Sequence, residues 1–227
     1  LFNLTNKTRN LIRSRNYSAK QACATHIMIR FFDLLISFLG ILLFSPILVI
    51  VSLLIIIDSK LPVFFTQNRV GRYNRDFKVF KFRTMFVDEE NNSFLTLNKS
   101  GNKVTRIGHF LRKSKIDELP QLVNVLKGDM SLVGPRPELR KFVNMYNDEQ
   151  REILMMKPGM TDYASIKFFN EDKLLTASDN PEDLYIKKIL PEKIILNRLY
   201  FRNYSVKEYF KIIFITLYYI LRQGRGK

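Results

Sequence analysis

A run of 24 residues without a charged side chain, residues 34–57, constrains the fold of this chain more than any other feature. As a straight helix it would be about 36 Å long at ~1.5 Å per residue, which is enough to cross the hydrocarbon core of a bilayer. A secretory signal would have a shorter apolar part and a small-residue cleavage site, whereas this run continues into Asp58-Ser59-Lys60. The sequence therefore predicts a membrane segment that the protein retains.

The middle of this run contains Ser45-Pro46. Proline removes one helical hydrogen bond and kinks or breaks a helix, and the Ser45 hydroxyl could satisfy the carbonyl left free. Both flanks are basic, with Arg30 before the run and Lys60 and Arg69 after it. Because basic residues favour the cytoplasmic side, a broken helix that enters and leaves by one face satisfies both flanks. An ordinary kinked span with a weak charge bias is the alternative.

Residues 60–197 are predicted to form a mixed α/β body. Segments 61–67 and 77–82 are rich in β-branched and aromatic residues and favour a hairpin, with Gly71 and Asn74 as turn formers between them. Other stretches are predicted as helices or as a polar loop. The helices cover 106–112, 120–127, 137–156 and 206–221, and the loop covers 85–103.

Two of these helices carry distinct signals. Pro120 suits the first turn of the helix that ends before Gly128, a typical C-terminal cap residue. The helix over 206–221 is apolar and aromatic on more than one side. That pattern fits either a helix in the membrane interface or a buried core helix, and both interpretations stay open.

The formal net charge of +16 requires an anionic partner, and nucleic acid, anionic lipid and a phosphorylated substrate are the candidates. A membrane segment favours the last two, so we expect no nucleic acid partner. The single cysteine excludes an internal disulfide framework and a cysteine-based zinc cluster, and two histidines argue against a histidine-built metal site. The glycine-rich phosphate loop Gly-x-x-x-x-Gly-Lys is absent, so a nucleotide would be held by cations, a metal ion or both.

The adjacent carboxylates Asp117 and Glu118 stand just before the helix predicted from Pro120. Leu119 precedes that proline and is expected to be extended, which would leave the pair outside the helix, in a turn that can aim both side chains into one site. The positive end of the helix would keep Asp117 ionised or hold a phosphate nearby. An ordinary acidic N-terminal cap is the alternative.

Basic side chains near these carboxylates could bind phosphate. Two prolines flank Arg136 and leave its guanidinium little freedom to lose, and the planar fork fits phosphate at two points. Lys81 and Arg83 occupy alternate positions and would share one face of a strand. Arg112 adds charge close to the carboxylate pair. A solvated basic surface is the alternative.

These motifs occur together in an order that resembles the bacterial sugar transferase family, the monotopic phosphoglycosyl transferases that start polysaccharide and glycoconjugate assembly. The resemblance covers about residues 27–222, and its most specific block is 117–137. The motifs that carry it are Ser45-Pro46, Phe64-Phe65-Thr66-Gln67, Phe80-Lys81-Phe82-Arg83-Thr84-Met85, Asp117-Glu118-Leu119-Pro120-Gln121-Leu122, Val133-Gly134-Pro135-Arg136-Pro137 and Lys157-Pro158-Gly159-Met160-Thr161.

The resemblance implies an enzyme that moves a sugar-1-phosphate from a nucleotide diphosphate sugar, expected to be a UDP-sugar, to polyprenyl phosphate. It implies that Asp117 is the nucleophile of a covalent phosphosugar intermediate and that Glu118 lies at a Mg²⁺ ion. Basic residues around the phosphates are implied at Lys81, Arg112 and Arg136, and the strand position of Arg83 adds it to this set.

The resemblance also implies a fold and a location. We expect a mixed α/β, helix-rich protein at the cytoplasmic face of the bacterial inner membrane, in contact with membrane lipids. An N-terminal tail (1–26) would precede a re-entrant membrane helix (27–59) broken at Ser45-Pro46. A small cytoplasmic catalytic domain (60–205) would precede an interfacial amphipathic helix and tail (206–227). Homo-oligomerisation stays open.

Segment 162–169 departs from the family pattern. The basic residue of the family falls on Phe169, and Lys167 is expected to supply the missing cation. The identity of the sugar is left open by this change. A catalytically inactive relative that serves as a membrane scaffold for polysaccharide assembly is the alternative function, and the presence of Asp117 and Glu118 argues against it.

Overall fold

The structure is a computed structural model that describes the backbone of residues 2–86 and 104–225 and the side chains of residues 23–86 and 104–222. Helices dominate these regions, and the strands found there form two sheets of two strands each. The predicted helix-rich α/β class is confirmed.

Helix α1 runs without interruption over Phe2–Ser59 and contains Pro46, so the predicted break of the helix at Ser45-Pro46 is wrong. Its stretch Cys23–Ser59 is long and apolar enough to cross a membrane, with a mean hydropathy of 3.0 in its most apolar part. Pro46 has no N–H to donate to the carbonyl of Leu42, four residues earlier. The Ser45 hydroxyl donates to that carbonyl at 2.8 Å instead, which confirms the role predicted for it.

Strands β1 (Phe64–Val70) and β2 (Asp76–Phe82) form the predicted antiparallel hairpin. A 3₁₀ turn over Arg72–Asn74 connects them. The turn is closed by the N–H of Gly71, which donates to the carbonyl of Arg75 at 2.8 Å. The hairpin therefore begins shortly after α1 ends.

Helices α2 (Arg106–Ser114) and α3 (Gln121–Lys127) confirm the two short helices predicted in this region. Thr105 caps α2, and its hydroxyl accepts from the N–H of Gly108 at 2.9 Å. Gly128 ends α3 with a φ of 93°, the left-handed conformation that glycine adopts without strain. The loop predicted over 85–103 lies, from residue 87 on, outside the described residues.

The long helix predicted over 137–156 is wrong. Its middle is interrupted at Asn147, whose side chain accepts from the N–H of Gln150 at 2.9 Å while Gln150 accepts from the N–H of Asn147 at 2.9 Å. This reciprocal capping box starts a new helix instead of continuing an old one. The segment forms α4 (Arg140–Val143), α5 (Asp148–Arg151) and a 3₁₀ turn (Glu152–Met155).

Strands β3 (Ser131–Val133) and β4 (Gly159–Thr161) pair in parallel. The remaining elements all follow β4 along the chain. They are α6 (Tyr163–Lys167), α7 (Glu171–Thr176), α8 (Pro181–Leu184), a π-helical turn (Tyr185–Ile189), α9 (Leu190–Arg202) and α10 (Val206–Arg225).

The main core lies where α1, α3, β3, α9 and α10 meet. Tyr209 and Ile212 of α10 are fully buried there, whereas Phe214 and Leu217 of the same helix are half or more exposed. The buried-core interpretation of the C-terminal helix is therefore confirmed for one face, and the position in the membrane interface stays a prediction. One of its faces belongs to the core, and another presents apolar side chains outward.

The first part of the apolar stretch is anchored to this core by polar contacts. Arg30 donates to the carbonyl of Val125, near the end of α3, at 2.6 Å. The buried carboxylate of Asp33 accepts from the hydroxyls of Ser131 at 3.0 Å and Tyr209 at 2.9 Å. Because buried polar groups are costly without partners, these contacts fix the register of α1 on the body.

Candidate active site

Asp117 and Glu118 lie on a 3₁₀ turn over Ile116–Glu118, between α2 and α3. The expected extended conformation of Leu119 is wrong, because its φ of −54° and ψ of −35° are helical. The N–H of Leu119 donates to the carbonyl of Ile116 at 3.1 Å, so the 3₁₀ turn leads directly into the helix. The carboxylate pair nevertheless lies before α3, as predicted.

Glu118 is held by two cations. Its carboxylate pairs with Lys81 Nζ at 2.9 Å and with both terminal nitrogens of Arg136, one of them at 3.1 Å. Burial alone would raise the pKa of Glu118, but the charges and hydrogen bonds of Arg136 and Lys81 outweigh it and hold the pKa well below its usual range. Glu118 is therefore a fixed negative charge.

Asp117 differs from its neighbour because one of its oxygens is unpaired. The residue is only 8% exposed, and its buried Oδ1 has no hydrogen-bond partner among the described residues. Burial, followed by the charge of Glu118, raises the pKa of Asp117 to about 6, although Lys81, Lys115 and Arg112 oppose the shift. The site thus contains one carboxylate engaged by two cations and one carboxylate with a buried oxygen that has no partner among the described residues.

The turn that carries Arg136 is fixed by backbone contacts with β4. The N–H of Gly134 donates to the carbonyl of Thr161 at 3.0 Å, and that of Gly159 donates to the carbonyl of Pro135 at 2.9 Å. The predicted rigid presentation of Arg136 thus depends on the sheet partner as well as on the two prolines.

Asp162 is a contributor that the sequence analysis missed. It is fully buried, and its carboxylate accepts from the N–H of Arg136 at 3.2 Å and from the N–H of Ser165 at 2.5 Å. The same side chain therefore caps α6 and holds the turn that presents Arg136. The signal in the sequence was an aspartate immediately before a short helix, a preferred N-cap residue.

We expect Gly159→Ala to destabilise the protein by about 1–3 kcal/mol, the usual cost of overpacking. A Cβ at position 159 would lie 2.1 Å from the backbone nitrogen of Gly134, and backbone cannot give way as a side chain can. Thermal unfolding in detergent measures the effect. Gly40→Ala is the control, because its Cβ would meet only the side-chain end of Leu122, at 3.3 Å. Equal midpoints for the two variants would contradict the prediction.

The other two predicted phosphate-binding residues, Arg112 and Arg83, both line the cavity but have different partners. Arg112 lines the same cavity as Asp117 and donates from Nε to the hydroxyl of Thr84 at 2.9 Å. Arg83 also lines the cavity, but its guanidinium binds the carbonyls of Lys60 at 2.7 Å and Leu61 at 3.0 Å, just beyond α1. The geometry therefore engages Arg83 with the end of α1, and it does not bring Arg83 to Glu118.

The cation expected from Lys167 is not brought to the cavity. Lys167 is half-exposed and pairs with Glu192 on the surface. Phe169 does line the cavity, and Lys115 Nζ lies 5.4 Å from the centre of its ring, a cation–π distance. Lys115 is therefore the cation next to Phe169.

A single cavity of about 1310 Å³ contains the carboxylates and their cations. Its lining includes Asp117, Glu118, Lys81, Arg112 and Arg136. Another part of the wall is apolar and comes from α1 and α10. The apolar side chains include Ile36, Phe44, Ile47, Ile213, Leu217 and Ile220.

Glu118 is the carboxylate that would hold a Mg²⁺ ion together with the phosphates of a substrate. In the part of the chain that the structure describes, no group of three or more His, Cys, Asp or Glu side chains could hold a metal ion. Mg²⁺ is commonly bound by one or two carboxylates plus substrate phosphates. The carboxylate of Glu118, which lines the cavity, would satisfy that minimum together with the phosphates of the substrate.

Comparison with known proteins matches residues 24–223 to the family model described as "Bacterial sugar transferase". The chain is 44% identical over 137 residues to the UDP-N-acetylgalactosamine-undecaprenyl-phosphate N-acetylgalactosaminephosphotransferase of Aeromonas hydrophila, which covers 59% of this chain and 32% of that relative. It is 38% identical over 195 residues to the undecaprenyl-phosphate glucose phosphotransferase of Komagataeibacter xylinus, covering 83% of this chain and 35% of the relative. The chain thus spans about a third of the length of these two relatives.

A shorter relative aligns over almost its whole length. The exopolysaccharide production protein PSS of Rhizobium leguminosarum bv. phaseoli is 35% identical over 207 residues, which is 88% of this chain and 98% of that protein. The motifs that carried the resemblance in the sequence therefore lie within the matched region.

Proposed function

This chain belongs to the bacterial sugar transferase family, and on that basis we propose that it transfers a sugar-1-phosphate from a UDP-sugar to polyprenyl phosphate. The reaction would take place at the cytoplasmic face of the bacterial inner membrane and would start the assembly of a surface polysaccharide or glycoconjugate. Relatives named for UDP-sugars and undecaprenyl phosphate support the two substrate classes.

The observation that carries this proposal is the composition of the cavity wall. One cavity joins the carboxylates and their cations to apolar side chains of α1 and α10. A phosphorylated lipid needs such a site, because its head group requires cations and its chain requires an apolar path. A soluble donor and a lipid acceptor can meet there without either of them crossing a bilayer.

The proposed chemistry has two steps and uses Asp117 twice. In the first, a carboxylate oxygen of Asp117 attacks the β-phosphorus of the donor, and the bond from that phosphorus to the bridging oxygen breaks as UMP leaves with the electron pair. In the second, a phosphate oxygen of the acceptor attacks the same phosphorus. The bond to Asp117 then breaks, which restores the carboxylate and yields polyprenyl diphosphate-sugar.

The surrounding cations would act mainly through charge and position. Phosphoryl transfer requires neutralisation of the phosphate oxygens more than elaborate covalent machinery. Glu118 fixes the positions of Arg136 and Lys81 by ion pairs, and Arg112 lines the same cavity. Glu118 would hold Mg²⁺ together with phosphate oxygens of the donor, and the ion would neutralise charge there.

The scaffold alternative gains no support from the geometry. A chain that had lost activity would not need a buried carboxylate with a free oxygen, because such a group lowers stability. The structure also brings Lys81, Arg136 and Glu118 into direct contact. These contacts support the enzymatic function over the scaffold.

We expect the first step to lose about tenfold in rate for each pH unit below the pKa of Asp117, which is about 6. The sign follows from the nucleophile, because a raised pKa leaves Asp117 protonated and unreactive below pH 6. UMP release should be measured without acceptor, since a phosphate monoester itself titrates near pH 6. A rate that stays flat down to pH 4.5 would contradict an Asp117 nucleophile with this pKa.

The function is tested by a screen of UDP-sugars with polyprenyl phosphate, using the full chain in nanodiscs and UMP release as the readout. At least one donor should release UMP and give a lipid-linked diphosphate-sugar. UMP release with no lipid product would indicate a hydrolase. If no donor is consumed while the protein still stabilises polysaccharide assembly partners, the scaffold function would be correct.

A further inference from the structure

A second polar cluster lines the same cavity and has no part in the phosphate chemistry. It consists of Glu138, Glu171, Tyr185 and Lys193. The Tyr185 hydroxyl donates to Glu138 at 2.6 Å, and Lys193 Nζ lies 2.8 Å from Glu171 and 3.2 Å from the Tyr185 hydroxyl. Donors and acceptors of opposite charge thus converge on one stretch of the cavity wall.

The cluster is built into the fold. Lys193 and Tyr185 are each 5% exposed, and Glu138 is 9% exposed. A buried ion pair contributes little net stability compared with apolar residues of the same volume, so stability does not explain its presence. Tyr185 also begins the π-helical turn, a rare element that occurs often at functional sites.

The cluster is rigidly connected to the phosphate-binding residues. Glu138 follows Arg136 by two positions, and its carbonyl accepts from the N–H of Val70 at 2.9 Å. Arg69 donates to the carbonyl of Pro137 at 3.3 Å and lies within electrostatic range of both Glu118 and Glu138. A ligand whose phosphate meets Arg136 would therefore have its next chemical group beside this cluster.

We propose that Glu138, Glu171, Tyr185 and Lys193 form the subsite for the sugar of the donor and determine which sugar is accepted. A sugar presents hydroxyl and amide groups that both donate and accept, and a site of mixed donors and acceptors discriminates among their arrangements.

The geometry favours the sugar over the nucleoside for this place. A nucleobase is commonly recognised by stacking on an aromatic face. Phe142 packs against the Tyr185 ring with centroids 4.7 Å apart, and Lys193 lies 4.8 Å from the centre of the same ring. The contacts that Tyr185 has left to offer a ligand are those of its hydroxyl and its charged neighbours, which suit a sugar.

This inference rests on the proposed donor class, so the test measures binding and does not depend on turnover. Titration calorimetry on the full chain in nanodiscs would compare UDP with UDP-glucose, UDP-galactose, UDP-GlcNAc and UDP-GalNAc. The variants are Tyr185→Phe, which removes one hydroxyl, and Glu171→Gln, which keeps the shape of a side chain that is 24% exposed. Glu182→Gln is the matched control, because Glu182 pairs with Lys141 on the surface.

We expect the wild-type protein to prefer one UDP-sugar over UDP, and each cluster variant to weaken that sugar by about tenfold while UDP binding is unchanged. The control should bind as the wild type does. An equal loss for UDP and UDP-sugar would assign the cluster to folding or to the nucleoside and overturn the proposal, as would a wild type that binds no UDP-sugar better than UDP. Preserved binding without turnover would instead refute the transferase function and leave the subsite standing.

Discussion

Replacing Asp117 by Asn is expected to reduce turnover by at least about 10⁴-fold, the scale of loss when a nucleophile is removed. The amide keeps the shape of the side chain in its buried place but cannot form an acyl phosphate. Intact-protein mass measured with donor and Mg²⁺ but without acceptor should show one sugar-phosphate added to the wild type. The variant should show none.

The control for this experiment is Asp129→Asn. Asp129 follows α3, at the end of that helix remote from Asp117, and pairs with Lys127 on the surface at 3.7 Å. It should retain both activity and the adduct. Robust turnover of the wild type without any adduct, together with kinetics that require both substrates bound at once, would establish direct displacement. Asp117 would then be a base or a metal ligand.

Replacing Pro46 by Leu is expected to favour a helix that spans the bilayer over the proposed re-entrant one, and to abolish activity. Leucine at position 46 restores a backbone N–H that can donate to the carbonyl of Leu42, and the apolar run of about 36 Å is then long enough to cross a bilayer core of ~30 Å. The cost is structural, because Asp33 would have to leave its partners on the catalytic body. Activity should fall by at least about a hundredfold, as expected when reacting groups lose their positions.

The re-entrant proposal is supported by contacts at both ends of the apolar stretch. Ile29 and Asp33 near its beginning, and Val51 and Ile55 near its end, are all less than 5% exposed. Asp58 also accepts from the N–H of Ile107, in α2, at 3.2 Å. A helix that crossed the bilayer would place its two ends on opposite sides of the membrane, where they could not both contact the same body.

Cys23 provides a native probe for this topology because it is exposed. An impermeant thiol reagent added to intact cells should leave the wild-type cysteine unlabelled and should label it in Pro46→Leu. Val49→Leu, an exposed change in the same helix, should behave as the wild type. Labelling of wild-type Cys23 would refute the re-entrant helix, and shielding in Pro46→Leu would mean that the flanking charges decide the topology.

Local signals in the sequence predicted the elements whose ends are fixed by their own residues. Gly128 ends a helix as expected, because a glycine adopts the left-handed conformation required there without help from other residues. The Ser45 hydroxyl donates to the carbonyl that the following proline leaves without a donor. The prediction of one helix over 137–156 followed the spacing of the apolar residues and was wrong. Asn147 caps a new helix in the middle of this segment and so divides it.

The residues that sequence reasoning misplaced depend on partners far along the chain. Lys167 was assigned to the site because it lies two positions before Phe169, where the family has a basic residue. Glu192, 25 residues later, instead holds Lys167 on the surface. Asp162 was regarded only as a departure from the family pattern, although it supports Arg136. The cluster around Lys193 could not be foreseen, because its members come from segments up to 55 residues apart.

Arg83 fixes the position of the end of α1 relative to the carboxylates of the cavity. Its guanidinium holds the carbonyls of Lys60 and Leu61, and two positions earlier Lys81 holds Glu118. In a membrane, this short connection would hold the reactive carboxylates at a fixed distance from the acyl chains. The protein would then bind the phosphate and the first part of the isoprenoid tail along its apolar cavity wall, and the leaflet would accommodate the rest of the tail.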